Sequence, residues 1–172
     1  MFKPKSVEVG LQLGVVSLKG TWQPSDAERR AAWELYVELI TRVSVVPLQH
    51  GILREALTSY YSLFEASREI LRTAGPKVAE PKPDGQYNFG FLTVALLNFA
   101  LRPVLSYWHP ELSAWESRRP SDLSAVDHER DWPREAELRD ALEQTRLVTT
   151  QYAALLGAAC GVPDLRDAIP RS

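Results

Sequence analysis

Residues 7 to 15 alternate between apolar and polar side chains, which is the period of a β-strand with one buried face. The apolar members of this stretch are Val7, Val9, Leu11, Leu13 and Val15. A second extended run begins at Val16 and leads to Trp22, so the pattern predicts a short β-hairpin that bends at Gly14. Because an isolated hairpin is marginally stable in water, it must either dock on the rest of the chain or pair with another chain.

Three of the later segments show the period of an amphipathic helix, with apolar residues three and four positions apart. The first begins at Ser25 or Asp26, either of which can cap it, and Pro47 and Gly51 are expected to end it. Glycines end the others, at Gly75 and at Gly161. The side chains predicted to be buried are Trp33, Tyr36, Val37, Ile40 and Val43 in the first, Leu53, Leu57, Tyr60, Phe64, Ser67, Leu71 and Ala74 in the second, and Leu138, Leu142, Thr145, Val148 or Thr149, Tyr152, Leu155 and Ala159 in the last.

Between the second and the last of these helices, the segment from Asn88 to Trp115 is the most apolar part of the chain. A helix that is apolar on nearly all sides must be surrounded by other elements, so this third helix is expected at the centre of the fold. Pro103 should kink or break it because proline lacks a backbone N–H, and Pro110 offers a second break. The apolar run is interpreted as too short for a membrane span.

These elements predict an all-α fold, an antiparallel four-helix bundle with a kinked central third helix and a short N-terminal β-hairpin or strand. The 172 residues fit a single domain. Within it, residues 1–22 are expected to be extended, residues 24–163 to form the bundle and residues 164–172 to be a loose tail. The segments 76–86 and 117–127 are predicted to be exposed connections.

Composition argues against several classes of function. The net charge is −2 with both signs interspersed, which is not typical of a surface dedicated to nucleic acid. The single cysteine, Cys160, cannot form an intramolecular disulfide, and no apolar signal core precedes the helices, so a cytoplasmic location is expected. His50, His109 and His128 lie far apart, and no spacing typical of a metal site or nucleotide-binding loop occurs. We therefore expect no metal and no cofactor, and we interpret Cys160 as a buried filler residue.

Arg102 and His109 are the one pair of residues that suggests catalysis. They are seven residues apart, about two helical turns, so both would lie on one face of the third helix. This spacing resembles the signature of the HEPN family, all-α bundles that include metal-independent RNases. The resemblance implies that the histidine acts as acid and base while the arginine stabilises phosphate charge. It departs from the family at Pro103, where HEPN proteins commonly carry a polar residue.

Two other interpretations of Arg102 compete with catalysis. In one, Arg102 is a structural ion-pair partner at the kink and faces a glutamate or aspartate of the fourth helix. In the other, an apolar cavity beneath Arg102 holds a small carboxylate or phosphate against the buried cation.

Aromatic and basic residues supply candidates for contact with a protein partner. The five tryptophans are interpreted either as core residues or, in part, as exposed anchors. Arg118 and Arg119 belong either to a solvated face or to a site for an acidic partner or phosphate. The candidate partner-binding residues are Val9, Leu11, Leu13, Trp22, Arg118 and Arg119.

Several segments resemble a family of uncharacterised helical proteins from high-GC bacteria, actinobacteria in particular. The segments that carry this resemblance are Gly20–Trp22, Asp26–Arg42, Leu53–Leu71, Val94–Glu116 and His128–Arg139. Such proteins look like companions of multi-component bacterial systems, including conflict or antiviral loci, and supply no catalytic residues. The resemblance implies a non-enzymatic accessory subunit that binds a protein partner or forms a homo-oligomer, with the RNase as the alternative.

Overall fold

The computed structural model describes residues 4–42, 46–48 and 51–169 and is mostly helical, with a small sheet near the N-terminus. Strands β1 (Val7–Leu13) and β2 (Val16–Trp22) form the predicted antiparallel hairpin. A third strand, β3 (Gln86–Tyr87), pairs with β2 in the parallel direction. The helices are α1 (Asp26–Ile40), α2 (Leu53–Ala74), α3 (Phe89–Glu116), α4 (Ala125–Arg130) and α5 (Glu135–Cys160).

The turn of the hairpin requires Gly14. Leu13 pairs with Val16, so Gly14 and Val15 form a two-residue loop. The φ of Gly14 is 59°, in the left-handed region that favours glycine, and Val15 has a negative φ, which together indicate a type II′ turn. A Cβ at Gly14 would also lie 3.0 Å from the carbonyl oxygen of Phe99, so the turn is fitted closely to the middle of α3.

The inner face of the hairpin docks on the helices. Val9, Leu11, Leu13 and Trp22 are at most 4% exposed, and all four belong to the hydrophobic core of the chain. Strand β1 packs against α5. This corrects the prediction that these four side chains contact a partner, because the helices of the same chain already cover them.

Helix α1 buries a face that overlaps the predicted one only in part: Tyr36 is buried and Ile40 partly buried as predicted, whereas Trp33 and Val37 are not. Trp33 and Val37 are 41% and 36% exposed, whereas two alanines, two leucines and Tyr36 on the adjacent face are buried. Close packing against α5 accounts for this, because a Cβ at Gly157 would lie 3.2 Å from the Tyr36 ring. The buried apolar residues of α1 are Ala31, Ala32, Leu35, Tyr36 and Leu39. Of the predicted stripe, Val43 lies outside the described residues.

Helices α2 and α5 begin and end close to the predicted positions. Helix α2 ends before Gly75, and α5 ends before Gly161, whose φ of 67° closes the helix. Between the two residues proposed for one position of α5, Thr149 is fully buried and Val148 is only partly buried. The periodicity therefore identified the inner faces of these two helices.

Helix α3 continues through Pro103 and Pro110, so neither proline breaks it. It contains one segment of π-helix, Leu96–Leu101, directly before Pro103. Pro103 has no N–H to donate to the carbonyl of Phe99, so a regular helical hydrogen bond is missing there. The wider π-helical turn includes Phe99 and therefore lies at this missing bond. Pro110 lies inside the helix without ending it.

By length and composition, α3 is long and apolar enough to cross a membrane, which corrects the interpretation that its apolar run is too short. Half of its most apolar stretch is buried against other elements of the chain. The core helix of a globular protein passes the same test of length and composition.

The predicted connections and the tail contain structure of their own. A short 3₁₀ helix, Pro76–Ala79, buries Val78 before β3. Helix α4 begins within the second connection and is capped by Ser124. In the tail, the Leu165 N–H donates a hydrogen bond to the Tyr36 hydroxyl at 2.9 Å, while residues 170–172 lie outside the described part of the chain.

Glu28 is a buried carboxylate that accepts four hydrogen bonds. Its Oε1 accepts from the Trp22 indole N–H and from the Phe89 backbone N–H, both at 3.0 Å. Its Oε2 accepts from the Ser25 backbone N–H at 2.7 Å and forms an ion pair with Lys82 Nζ at 2.9 Å. Burial acts to raise the pKa of Glu28, but these hydrogen bonds outweigh it and hold the pKa below the ordinary value.

We expect Glu28→Ala to lower the free energy of unfolding by about 3–5 kcal/mol, because the buried donors around it would lose their acceptor. Since the pKa of Glu28 is lowered in the native state, the carboxylate stabilises the fold above the ordinary carboxyl pKa. That contribution is lost as the pH falls through the native-state pKa. Urea denaturation followed by tryptophan fluorescence, at neutral pH and toward about pH 4, measures both effects.

Glu34 on the exposed side of α1 provides the matched control. Glu34→Ala is expected to change the free energy of unfolding by less than about 0.5 kcal/mol. Equal losses in the two variants would contradict the role assigned to Glu28.

Candidate functional site between helices α2 and α3

Arg102 and His109 line the same open groove, which has a volume of about 380 Å³. Both side chains are exposed, and both come from the side of α3 that faces α2. Helix α2 supplies the other wall with Tyr61, Phe64 and Arg68. The structure therefore brings the two residues of the HEPN-like motif to one surface.

Arg102 forms no ion pair with an acidic residue in the part of the chain that the structure describes. Its Nε donates to Asn98 Oδ1 at 2.9 Å, and its guanidinium lies 5.2 Å from the centre of the Phe64 ring. The predicted ion pair with the fourth helix is wrong for the described residues, because Arg102 faces α2 rather than α5. Its exposure also removes the predicted cavity around a buried cation, and it leaves the charge available to an external anion.

His109 is held between two residues of α2. The Nη1 of Arg54 lies 2.8 Å from His109 Nδ1, and because a guanidinium can only donate, Nδ1 must accept and the ring proton resides on Nε2. The Tyr61 ring stacks on the imidazole with 6.3 Å between ring centres. The groove thus combines a cation, an aromatic face and an imidazole whose Nδ1 is engaged by Arg54.

Arg54 connects this groove to a second cavity of about 330 Å³. Its Nη2 lies 2.8 Å from Glu116 Oε2 and donates to Ser113 Oγ at 3.1 Å. The walls of the second cavity include Arg54, Glu116, Arg119, His128 and Glu129. No spacing in the sequence predicts this cluster, because its members come from α2, α3, α4 and the connection after α3.

His128 and Trp115 join α4 to the end of α3. Their rings stack with 4.6 Å between centres, and the Trp115 indole N–H donates to the His128 carbonyl at 2.8 Å. The Nε2 of His128 lies 2.9 Å from the Trp115 carbonyl, which can only accept, so Nε2 carries the proton. These reciprocal bonds give His128 a structural role.

Glu129 caps helix α2 from a distant part of the sequence. Its Oε1 accepts the Leu53 N–H at 2.9 Å, whereas Ile52, at the capping position of α2, has no side chain that can do so. Glu129 is 8% exposed, and this burial raises the pKa of its carboxyl despite the hydrogen bonds from the α2 backbone.

The arginines near the end of α3 do not form one basic patch. Arg118 and Arg119 are both exposed, and of these two only Arg119 lines the second cavity. Arg130 lies 3.5 Å from Asp127. Arg134 pairs with carboxylates of α3 and α5, namely Glu111 at 2.7 Å and Glu137 at 3.0 Å.

The tryptophans and the cysteine serve mainly as core residues. Trp22, Trp108 and Trp132 are buried, and Trp33 is the one tryptophan that is largely exposed. Trp33 and Cys160 line a cavity of about 680 Å³ beside α1. Burial raises the pKa of the Cys160 thiol to about 11, so it is protonated at neutral pH and unsuited to act as a nucleophile.

Within residues 4–42, 46–48 and 51–169, no group of three or more His, Cys, Asp or Glu side chains is placed to hold a metal ion. His50 lies outside these ranges.

We expect Glu129→Ala to destabilise the protein by about 1 kcal/mol through loss of the α2 cap, whereas Glu129→Gln keeps an acceptor. Because the pKa of Glu129 is raised, its protonated form stabilises the fold at low pH, and this contribution is lost as the pH rises through the native-state pKa. Glu129→Gln mimics the protonated form and should be at least as stable as the wild type at about pH 8. Equal destabilisation of both variants in urea at that pH would contradict this assignment.

No protein-family model matches the chain, and neither the curated proteins nor the solved structures include one detectably similar to it. The resemblances to the actinobacterial helical proteins and to the HEPN motif therefore stay predictions.

Proposed function

We propose that this protein is a non-enzymatic helical-bundle subunit of the bacterial cytoplasm that binds a protein partner, as an accessory component of a multi-component system such as a defence system. The observation that supports this proposal is the exposed apolar side of α3. A soluble bundle ordinarily covers such a surface, and where one stays uncovered it commonly marks an interaction site.

Three large apolar side chains of α3 are about half exposed. Phe91, Val94 and Phe99 expose 51%, 46% and 45% of their surface. The Tyr87 ring stacks on Phe91 with 5.5 Å between ring centres and extends the apolar surface toward β3. Trp33 and Val37 are exposed on α1, on a separate element.

Charge determines the kind of partner that fits this surface. Residues 89–110 of α3 contain no acidic side chain, and Arg102 has no acidic partner among the described residues. A bidentate carboxylate is the ligand that best matches a solvent-facing guanidinium. The partner is therefore an amphipathic helix that packs apolar residues on Phe91, Val94 and Phe99 and brings a carboxylate to Arg102.

The proteins encoded beside this chain are the probes, each titrated separately against it by isothermal calorimetry. We expect one of them to bind, and we expect Val94→Asp and Arg102→Glu each to weaken binding at least about 10-fold, because both substitutions oppose an acidic, apolar helix. The matched control is Val37→Asp, which places the same charge on α1. Binding by none of these proteins, or equal weakening by Val94→Asp and Val37→Asp, would overturn the proposed surface.

A second candidate function is metal-independent RNA cleavage, favoured by the common groove of Arg102 and His109. In this hypothesis Nδ1 of His109, once released by Arg54, accepts the proton of the attacking ribose 2′-hydroxyl, the resulting imidazolium returns a proton to the leaving 5′-oxygen, and Arg102 binds the phosphate. The exposed Tyr61 ring and Arg68 offer a stacking face and a further cation for a single strand.

This candidate predicts cleavage of transfer RNA in the presence of EDTA, with a loss of about 100-fold or more in His109→Ala and in Arg102→Ala. Arg72→Ala removes an exposed arginine elsewhere on α2 and serves as the control. An intact RNA substrate, or cleavage that persists in His109→Ala, would eliminate the RNase hypothesis.

A further inference from the structure

The outer edge of β1 has no strand beside it in the described part of the chain. The sheet order is β1-β2-β3, so β1 is an edge strand. Leu13 and Val16 close a two-residue loop and form a hydrogen-bonded pair, and hydrogen-bonded pairs then alternate along the hairpin. Val9, Leu11 and Leu13 therefore bond to β2, whereas the backbone N–H and C=O groups of Glu8, Gly10 and Gln12 point away from it. No described backbone group forms a hydrogen bond with these three residues.

This edge lacks most of the features by which proteins usually prevent strand pairing, and Glu8 is its single charged residue. The seven residues of β1 contain neither lysine nor proline, and their register with β2 is continuous, without a bulge. Glu8, Gly10 and Gln12 are all exposed, and a Cβ at Gly10 would meet nothing within 4 Å.

A groove of about 530 Å³ lies beside this edge and leaves room for another chain. Its floor is helix α5, which contributes Gln151, Ala154, Leu155 and Ala158. Ala154 and Ala158 are four residues apart and therefore lie on one side of the helix, where small side chains allow a close approach.

We propose that two copies of this chain pair through their β1 edges in the antiparallel direction, with Gly10 on the two-fold axis, to form one sheet of six strands. The same edge then serves both copies, as a closed two-fold interface requires.

The order of the outward-facing residues Glu8, Gly10 and Gln12 favours antiparallel pairing of two copies centred on Gly10. With Gly10 opposite Gly10, Glu8 of each copy faces Gln12 of the other, and the whole of Val7–Leu13 overlaps. All three outward-facing residues of both strands are then paired, which gives about six hydrogen bonds between the copies. A register centred on Glu8 would instead place two carboxylates opposite each other, and like charges in that position destabilise a sheet.

The test is the mass of the full chain in solution, measured by light scattering and sedimentation up to about 100 μM. We expect a dimer for the wild type and a monomer for Gly10→Lys, because two ammonium groups would meet at the axis. The open space at Gly10 lets Gly10→Lys fold, which circular dichroism verifies. Gly10→Thr should lower the dimer dissociation constant several-fold, since threonine favours strands and pairs well across them.

Ser17→Lys is the matched control, because it adds the same charge to the exposed face of β2, away from the edge. It should leave the dimer intact. A monomeric wild type, or a dimer that survives Gly10→Lys, would overturn the pairing. Val94→Asp is expected to keep the dimer. The experiments can therefore contradict the pairing of β1 edges without contradicting partner binding at α3, and the reverse.

Discussion

The carboxylate of Glu28 is the interaction on which the arrangement of this fold depends. Apolar packing holds β2, α1 and α3 together but has no direction, whereas hydrogen bonds fix angles. Glu28 lies in the first turn of α1 and also accepts the N–H of Phe89, the first residue of α3. Two helices therefore direct their positive ends at one negative group, and Lys82 and Trp22 complete its environment. This one side chain orients the sheet and the central helix relative to each other.

Glu129 performs a related task at the other helix of the groove, yet its pKa moves in the opposite direction. The difference follows from what surrounds each carboxylate. Glu28 receives an ammonium, an indole N–H and two backbone amides, whereas backbone amides at the start of α2 are the main donors to Glu129, without an adjacent ammonium. The interactions of Glu28 outweigh the effect of its burial, so its pKa is lowered. Those of Glu129 do not, so its pKa is raised. The positions of α2 and α3, and hence the groove of Arg102 and His109, rest on both.

The elements with a clear period were predictable, and those set by contacts between distant segments were not. Alternation located the hairpin, and the three-four spacing located α2 and α5. The pattern identifies Tyr36 on the buried face of α1 but favours Trp33 and Val37 over Ala31 and Ala32, because it cannot show how closely α1 packs on α5 at Gly157. Spacing placed Arg102 with His109, but it could not show that α2, rather than α5, lies beside them. The two residues of β3, the bond from Phe89 to Glu28 and the cap from Glu129 have no local signal, whereas Ser25 and Glu28 match the capping-box pattern at the start of α1.

The π-helical segment of α3 lies between the apolar surface at Phe91 and Val94 and the groove at Arg102 and His109. The angle between these two surfaces around the helix axis therefore depends on one extra residue. A turn of this kind holds one residue more than the regular helix, and each residue rotates the chain by about 100°. Everything after Leu101 is rotated accordingly relative to Phe91 and Val94. Loss of one residue between Leu96 and Leu101 would restore a regular helix and turn Arg102 and His109 away from α2. The length of this segment thus sets the geometry of the groove as firmly as the identity of the residues that line it.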